Sequence, residues 1–419
     1  MLRLLSRTGL ISTALLVGTA CSGDSDTPNP PTTTTGQGGG GQGGGGQGGS
    51  GGQGGGQGGS GGQGGGQGGS GGSTPLVCDE GYGDCDEDPE NGCEALLSSD
   101  AAHCGSCAND CNGGICEAGL CALVGTIATG QDEPGYIAVS GSSLFWTNSG
   151  DGTVMQSPTA GGALVTVAMG QVQPAGIAAD LTHVYWINQG NSGADNGSVM
   201  EAPVDLATPP VPIAEALPDP YGIAIDDTNV YWTNREGSSV TRAPRGSMGA
   251  GPVTVIAMGM GVPNGITVDD THVYWTVRDL GSVLSAPKNS AGAGPFTTIA
   301  TGQTDVREVA VDATHVYWTT SASGTVMRAP KQGGAAPETV ASGQGNPRVV
   351  KADETGLYWA NAAGGTVMRA APDGQVAAVA AGLQSPWGLT LDLTHVYWTN
   401  QLAIGGTIQS APKLPQGAP

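Results

Sequence analysis

The chain has 419 residues, among them 76 glycines, 9 cysteines and only 2 phenylalanines, and its formal net charge is −22. Phosphate backbones need a basic stripe. With 14 Lys and Arg against 36 Asp and Glu, the composition excludes direct nucleic-acid binding and argues against adsorption to an anionic membrane surface.

Residues 1–20 read as a targeting segment. Arg3 and Arg7 precede an apolar stretch from Leu10 to Val17, followed by the small residues Gly18, Thr19 and Ala20. Such a stretch is too short to span a bilayer stably and has the flanks of a secretory signal. With Cys21 directly after it, the segment resembles a bacterial lipoprotein signal, although Gly18 stands where that family prefers Leu. The resemblance implies cleavage before Cys21, lipidation of Cys21, and an exported chain anchored to a bacterial membrane at the outer membrane or cell surface. The plainer alternative is a secretory signal cleaved nearby.

Residues 21–75 carry no periodic apolar pattern, and Gly-Gln-Gly-Gly and Gly-Gly-Ser repeats run to Ser73. Such a chain cannot bury enough surface to offset its ordering entropy. As a coil of roughly 50 residues it reaches about 40 Å, the length of a tether.

Residues 76–121 hold the remaining cysteines: Cys78, Cys85, Cys93, Cys104, Cys107, Cys111, Cys116 and Cys121. An even number packed into a short exported segment reads as a disulfide framework of four bridges, whose pairing sequence leaves open. Asp84, Asp86 and Asp88 alternate as in calcium loops, without the spacing or terminal Glu of an EF-hand. The run is similar to thrombospondin-type calcium repeats, but a solvated acidic loop is the reading adopted. The segment also resembles small cysteine modules of exported myxobacterial proteins, which implies a secreted context and no activity.

Residues 122–419 are repetitive. An aromatic-Trp pair recurs at Phe145-Trp146, Tyr185-Trp186, Tyr231-Trp232, Tyr274-Trp275, Tyr317-Trp318, Tyr358-Trp359 and Tyr397-Trp398, with successive tryptophans 39 to 46 residues apart. Each unit offers four short strands with Gly, Pro and Asp at the turns, which predicts a seven-bladed β-propeller in an all-β chain. The last unit stops after its third strand, while Thr126–Gly130 duplicates Thr298–Gly302 ahead of the first unit. The N-terminal copy is therefore expected to supply the outer strand of the last blade, with residues 123–129 antiparallel to residues near 406–411.

The repeat resembles the YWTD propellers of lipoprotein-receptor-type proteins. Asp180, Asp226, Asp269, Asp312, Asp353 and Asp392 hold the polar corner, and Ser140 replaces them in the first unit. The closing Asp of that motif is here Asn148, Asn188, Asn234, Asn361 or Asn400, with Val277 and Thr320 in the other two units. That family has six blades where seven are counted here. The resemblance implies the fold and leaves the ligand open.

Symmetry spreads His183, His272, His315 and His395 around the ring, so they read as turn residues and not as a metal set. The positions where the repeats disagree are more informative. The residue after the turn entering each innermost strand is Gly135, Ala175, Tyr221, Asn264, Arg307, Arg348 or Trp387. Placed at the rim of the central channel, Tyr221, Asn264, Arg307, Arg348 and Trp387 form a candidate site for a polar or anionic ligand. Arg235, Arg278 and Asp279 are expected on the same face. No catalytic motif, metal set or cofactor signature emerges. The function expected is a non-enzymatic binding propeller for a protein, peptide or glycan. The rival is a lyase or hydrolase using the channel with a divalent ion, for which Glu308 is the main carboxylate at hand.

Overall fold

In the computed structural model the described residues are 120–246, 251–292 and 296–413, with 78, 82–83, 85, 93, 95–97, 103–104, 106–107 and 115–117 before them. The targeting segment, Cys21, the glycine tract, Asp84, Asp86, Asp88 and Cys111 lie outside the described residues, as does the side chain of Cys121. Among the described residues of the cysteine segment three bridges are formed, Cys78–Cys93, Cys85–Cys107 and Cys104–Cys116. Two short hairpins accompany them, Tyr82–Gly83 with Ala95–Leu96 and Ile115–Glu117 with Leu120–Ala122.

The repeat folds into seven four-stranded antiparallel sheets. Blades one to six span residues 134–168, 174–217, 220–258, 263–300, 306–341 and 347–380. Blade seven takes three strands from residues 386–412 and its outer strand from Gly125–Gln131. That strand runs antiparallel to Gly406–Pro412, with Gln131 opposite Gly406, Ala128 opposite Ile408 and Gly125 opposite Ser410. The expected clasp is present, its N-terminal strand beginning and ending two residues later than read from sequence.

A single sheet has two apolar faces, and each blade buries them against its neighbours. The second strand of every blade carries the aromatic-Trp pair, and side chains on a strand alternate between faces. Tyr and the residue after Trp therefore face the following blade, while Trp and the Asn position face the preceding one. The core accordingly divides into seven clusters, one per interface. Tyr185 packs with Trp232, Tyr231 with Trp275, Tyr274 with Trp318, Tyr358 with Trp398, and Tyr397 with Trp146 across the seam of the ring. The seven tryptophans of the aromatic-Trp pairs are fully buried. A side chain of that size removes roughly 150–250 Å² from water, about 4–6 kcal/mol apiece as an upper bound.

Hydrogen bonds fix the polar ends of this motif. The Thr after Trp donates its hydroxyl to the rim carbonyl of the next blade: Thr147 to Ala175 at 2.9 Å, Thr233 to Asn264 at 2.8 Å, Thr276 to Arg307 at 2.6 Å and Thr319 to Arg348 at 2.7 Å. Thr399 does the same to Gly135 at 2.7 Å, so this stitch also crosses the seam. Ile187 and Ala360 stand at the two positions without it.

The indole N–H of Trp146, Trp186, Trp318 and Trp359 donates to the side-chain oxygen of Gln131, Gln171, Gln303 and Gln344, each arriving from the preceding outer strand. Asn148, Asn188 and Asn361 donate to the same glutamine oxygens. An Asp there has no N–H to give, which accounts for Asn where the YWTD motif has Asp. Met260 and Leu383 replace the glutamine ahead of Trp275 and Trp398, and those two indole nitrogens are buried without a partner.

On the face opposite the channel rim, the Asp corners accept the backbone N–H groups two and three residues on, as Asp269 Oδ1 does from Thr271 and His272 at 2.8 Å, except that Asp353 accepts that of Thr355 alone. The corner histidines bond the neighbouring Thr hydroxyl, as in His272 with Thr271 at 2.8 Å. A base from the next blade then clamps the same carboxylate: Arg245 on Asp180, Lys288 on Asp226 at 2.7 Å, Lys331 on Asp269 at 2.8 Å and Lys413 on Asp353. Burial alone raises the Asp226 carboxyl, yet Lys288, the Thr228 and Asn229 N–H groups and the Tyr231 hydroxyl hold it well below the usual carboxylate range. Ser140 and Val204 stand together where the first interface lacks this clamp, acid and base having been lost as a pair.

The glutamine lock makes a paired prediction. Gln344→Leu leaves the Trp359 and Asn361 donors without their shared acceptor and should cost about 1–3 kcal/mol. Leu383→Gln offers an acceptor to the Trp398 indole and should gain about 0.5–1.5 kcal/mol. Denaturant midpoints of the two variants check this, and shifts in the reverse directions contradict it.

Candidate functional site

Six of the seven innermost strands are entered through a residue in the left-handed region, followed in most of them by Pro. Glu133, Gln173, Asp219, Asp305, Asn346 and Ser385 have φ between 51° and 59°. Repetition in six blades marks this conformation as part of the scaffold. It turns the residue two positions on onto the channel rim, and the structure gathers Tyr221, Asn264, Arg307, Arg348 and Trp387 around one recess together with Tyr136, Glu308 and Val349.

The rim arginines differ in their partners. Arg235 forms a two-pronged pair with Asp219, both contacts 2.8 Å, and its guanidinium lies 4.3 Å over the Tyr221 ring. Asp305 receives Arg307 at 2.8 Å and Arg278 at 2.9 Å. Burial works to raise the Asp305 carboxyl, but the two guanidiniums hold it below the ordinary value. Arg348 makes no ion pair among the described residues; it stacks 4.1 Å over Trp387, and its Nε is buried without a hydrogen-bond partner. Burial, and then the nearby Arg307 charge, push its pKa down, so the group gains from any added negative charge.

Asn264 is buried and its amide donates to the Arg307 carbonyl at 3.2 Å, so it shapes the rim from beneath. Asp279 lies on the same face and accepts the Val262 N–H at 2.7 Å. Gly135 and Ala175 are buried and leave the rim low on the side of blades one and two.

One layer deeper the repeats disagree again, in a way the sequence reading passed over. The position after the rim residue is Gly176, Gly222, Gly265 and Gly388 in four blades, where a side chain would strike the neighbouring backbone. In the others it is Tyr136, Glu308 and Val349. The Tyr136 hydroxyl, from blade one, donates to Glu308 Oε1, from blade five, at 3.2 Å across the channel. A Cβ on Gly265 would lie 2.8 Å from Glu308 Oε2, so that glycine makes room for the carboxyl. The signal was available: glycine is the rule at this position and three bulky residues break it.

This bridge plugs the channel. About 10 Å³ of free space remains above it and about 30 Å³ around and below it, room for a water or two. The rim is therefore a charged, aromatic floor with little free space beneath it. Burial raises the Glu308 pKa, against the lowering by Lys351 and Tyr136, and raises that of Tyr136 further above its ordinary value.

No protein-family model matches the chain, and no curated protein matches it. Among solved structures it is similar to a streptogramin B lyase, with 11% identity and a TM-score of 0.57 over 68% of this chain and 97% of that one. The virginiamycin B lyase of Staphylococcus aureus gives the same identity and TM-score over 68% and 98%. The computationally designed Ika8 protein gives 11% and 0.51 over 69% and 98%. A nidogen–laminin complex chain gives 17% and 0.46 over 62% and 97%. At these identities the likeness is one of fold: the chain is a seven-bladed propeller with a YWTD-like repeat.

The channel bridge carries a pH prediction. A carboxyl whose folded pKa is raised adds stability that is full below its unfolded pKa, about 4.3, and is lost as pH rises through the folded value. Glu308→Gln keeps a hydrogen-bonding side chain without the charge. It should raise the melting temperature at pH 8 and leave it unchanged near pH 4; an equal effect at both pH values contradicts the assignment.

Proposed function

We propose that this protein is a non-enzymatic binding propeller, exported and held at a bacterial membrane through a lipidated Cys21, whose channel rim takes an anionic protein, peptide or glycan surface. The observation that carries the reading is Arg348, a half-buried guanidinium stacked on Trp387 with no carboxylate of its own. Arg235, Arg278 and Arg307 surround it with charge that Asp219 and Asp305 only partly offset. In an acidic chain of net charge −22 four arginines gather on one face beside Asp219, Asp279 and Asp305, and Arg348 is the one of them without a carboxylate partner among the described residues. Trp387 and Tyr221 supply stacking surfaces beside these charges, and the plugged channel favours an extended partner lying across the rim over an enclosed small molecule. The tether and the cysteine segment fit display away from the membrane.

The rival, a channel enzyme, draws on the lyases of the same fold and on Glu308. That carboxyl is joined to Tyr136 and approached by Lys351. Among the described residues no set of three acidic, histidine or cysteine side chains converges to hold a metal ion.

The test is an array of sulfated glycans and acidic peptides, read with Arg348→Ala, Arg307→Ala and Trp387→Ala. Each substitution should weaken binding about 10–30-fold, from the loss of a charged hydrogen bond or a cation–π contact. Added salt should weaken the wild type in the same sense. A wild type that binds nothing on the array, or variants that bind as well as it does, would remove the rim as a site.

A further inference from the structure

The interface between blades five and six breaks the clamp rule in a way that leaves an acid without its base. Four neighbouring interfaces each place a lysine or arginine of the following blade on the corner carboxylate. Register locates the equivalent position. Ala329 lies opposite Val316 and Ala370 opposite Leu357, so the residue two further on is Lys331 in blade five and Pro372 in blade six. Pro372 brings neither an ammonium nor a backbone N–H. The Thr355 carbonyl, whose counterpart Thr314 accepts the N–H of Lys331, is instead satisfied by Arg369 at 2.7 Å.

The acid facing this position keeps the rest of its setting. Asp312 Oδ1 accepts the N–H groups of Thr314 and His315 at 2.6 and 2.7 Å, and Oδ2 accepts the Tyr317 hydroxyl at 2.6 Å. In blade four the same arrangement holds Lys331, with its Nζ 2.8 Å from Asp269 Oδ2 and 5.8 Å from the centre of the Tyr274 ring. Where a base follows, Tyr185, Tyr231, Tyr274 and Tyr358 are at most 2% exposed, whereas Tyr317 is only partly buried. A cleft of about 780 Å³ opens there, lined by Asp312, His315, Tyr317, Arg328, Val340 and Leu357.

Arg328 does not stand in for the absent base. It pairs with Glu338 at 2.8 Å, and blade three carries Arg242 at the same register while still receiving Lys288. Nor do the other two interfaces offer an equivalent. Ser140 removes the acid at one; at the other Asp392 also has no base among the described residues, but Thr159 fills the base position, its hydroxyl reaches Tyr397, and Tyr397 stays 2% exposed.

We propose that the cleft between blades five and six is a binding site for an alkylammonium group, seated on Asp312 with its stem along the Tyr317 ring as Lys331 lies along Tyr274. The shared chemistry admits a free amine or the lysine side chain of a peptide. The site is separate from the rim, on the opposite face of the ring.

Saturation-transfer NMR on the full chain tests it, with n-butylamine, Nα-acetyl-lysine methylamide and the uncharged Nα-acetyl-norleucine methylamide as probes. Wild type should bind one or both amines at millimolar concentration, about the strength of one ion-paired contact, and not the norleucine probe. Binding of the lysine probe alone assigns the site to peptides; binding of both assigns it to amines in general. Asp312→Asn should weaken binding about 10–100-fold. Pro372→Lys should abolish it and raise the melting temperature, since the chain then fills its own slot. If Pro372→Lys does not fold, Asp312→Asn carries the test alone. No amine binding up to about 20 mM, equal binding of the norleucine probe, or undiminished binding by either variant overturns the proposal.

Discussion

Each blade of this ring has two apolar faces and no way to cover either by itself, so every contact that matters lies between neighbours. The Tyr of one blade, or Phe145 in the first, meets the Trp of the next at each interface, and the residues around them serve to hold that meeting in place. Thr pins the adjacent rim carbonyl, Gln binds the indole, and Lys or Arg seals the Asp corner. Seven such interfaces are satisfied only if the last meets the first. The clasp of Gly125–Gln131 on Gly406–Pro412, the Thr399 bond to Gly135 and the packing of Tyr397 on Trp146 all cross that seam.

Variation then collects where the repeat can change without opening an interface. At five rim positions the residue serves the stitch through its backbone carbonyl, which leaves the side chain open to vary, and across the ring it runs from Gly135 to Trp387. The layer beneath must be small unless a neighbour yields, which is why Gly265 accompanies Glu308. The base position opposite each Asp tolerates loss when the acid goes too, as with Ser140 and Val204. At Thr159 and Pro372 the base is absent while Asp392 and Asp312 remain.

The blade count, the clasp and the rim were legible because each rests on a local motif that recurs at a fixed interval. The partners of those motifs were not. Trp359 and Gln344 are 15 residues apart on different blades, and Lys331 and Asp269 are 62 apart, so nothing in one repeat announces the contact. The Gly-Gln pairs at 130, 170, 302 and 343 were the available sign of the lock. The Tyr136–Glu308 bridge joins opposite sides of the channel, and only the closed ring brings them together. Asn264 stood out by varying, yet its side chain is spent on the Arg307 carbonyl.

Amide hydrogen exchange in increasing denaturant tests most directly whether the ring is one closed, cooperative unit. The amides of Gly125–Gln131 that pair with Gly406–Pro412 should exchange only through the opening that also releases the second strands of the other blades. If those amides exchange at a much lower free energy while the other six blades stay protected, the clasp is a passive edge and the account of closure is wrong.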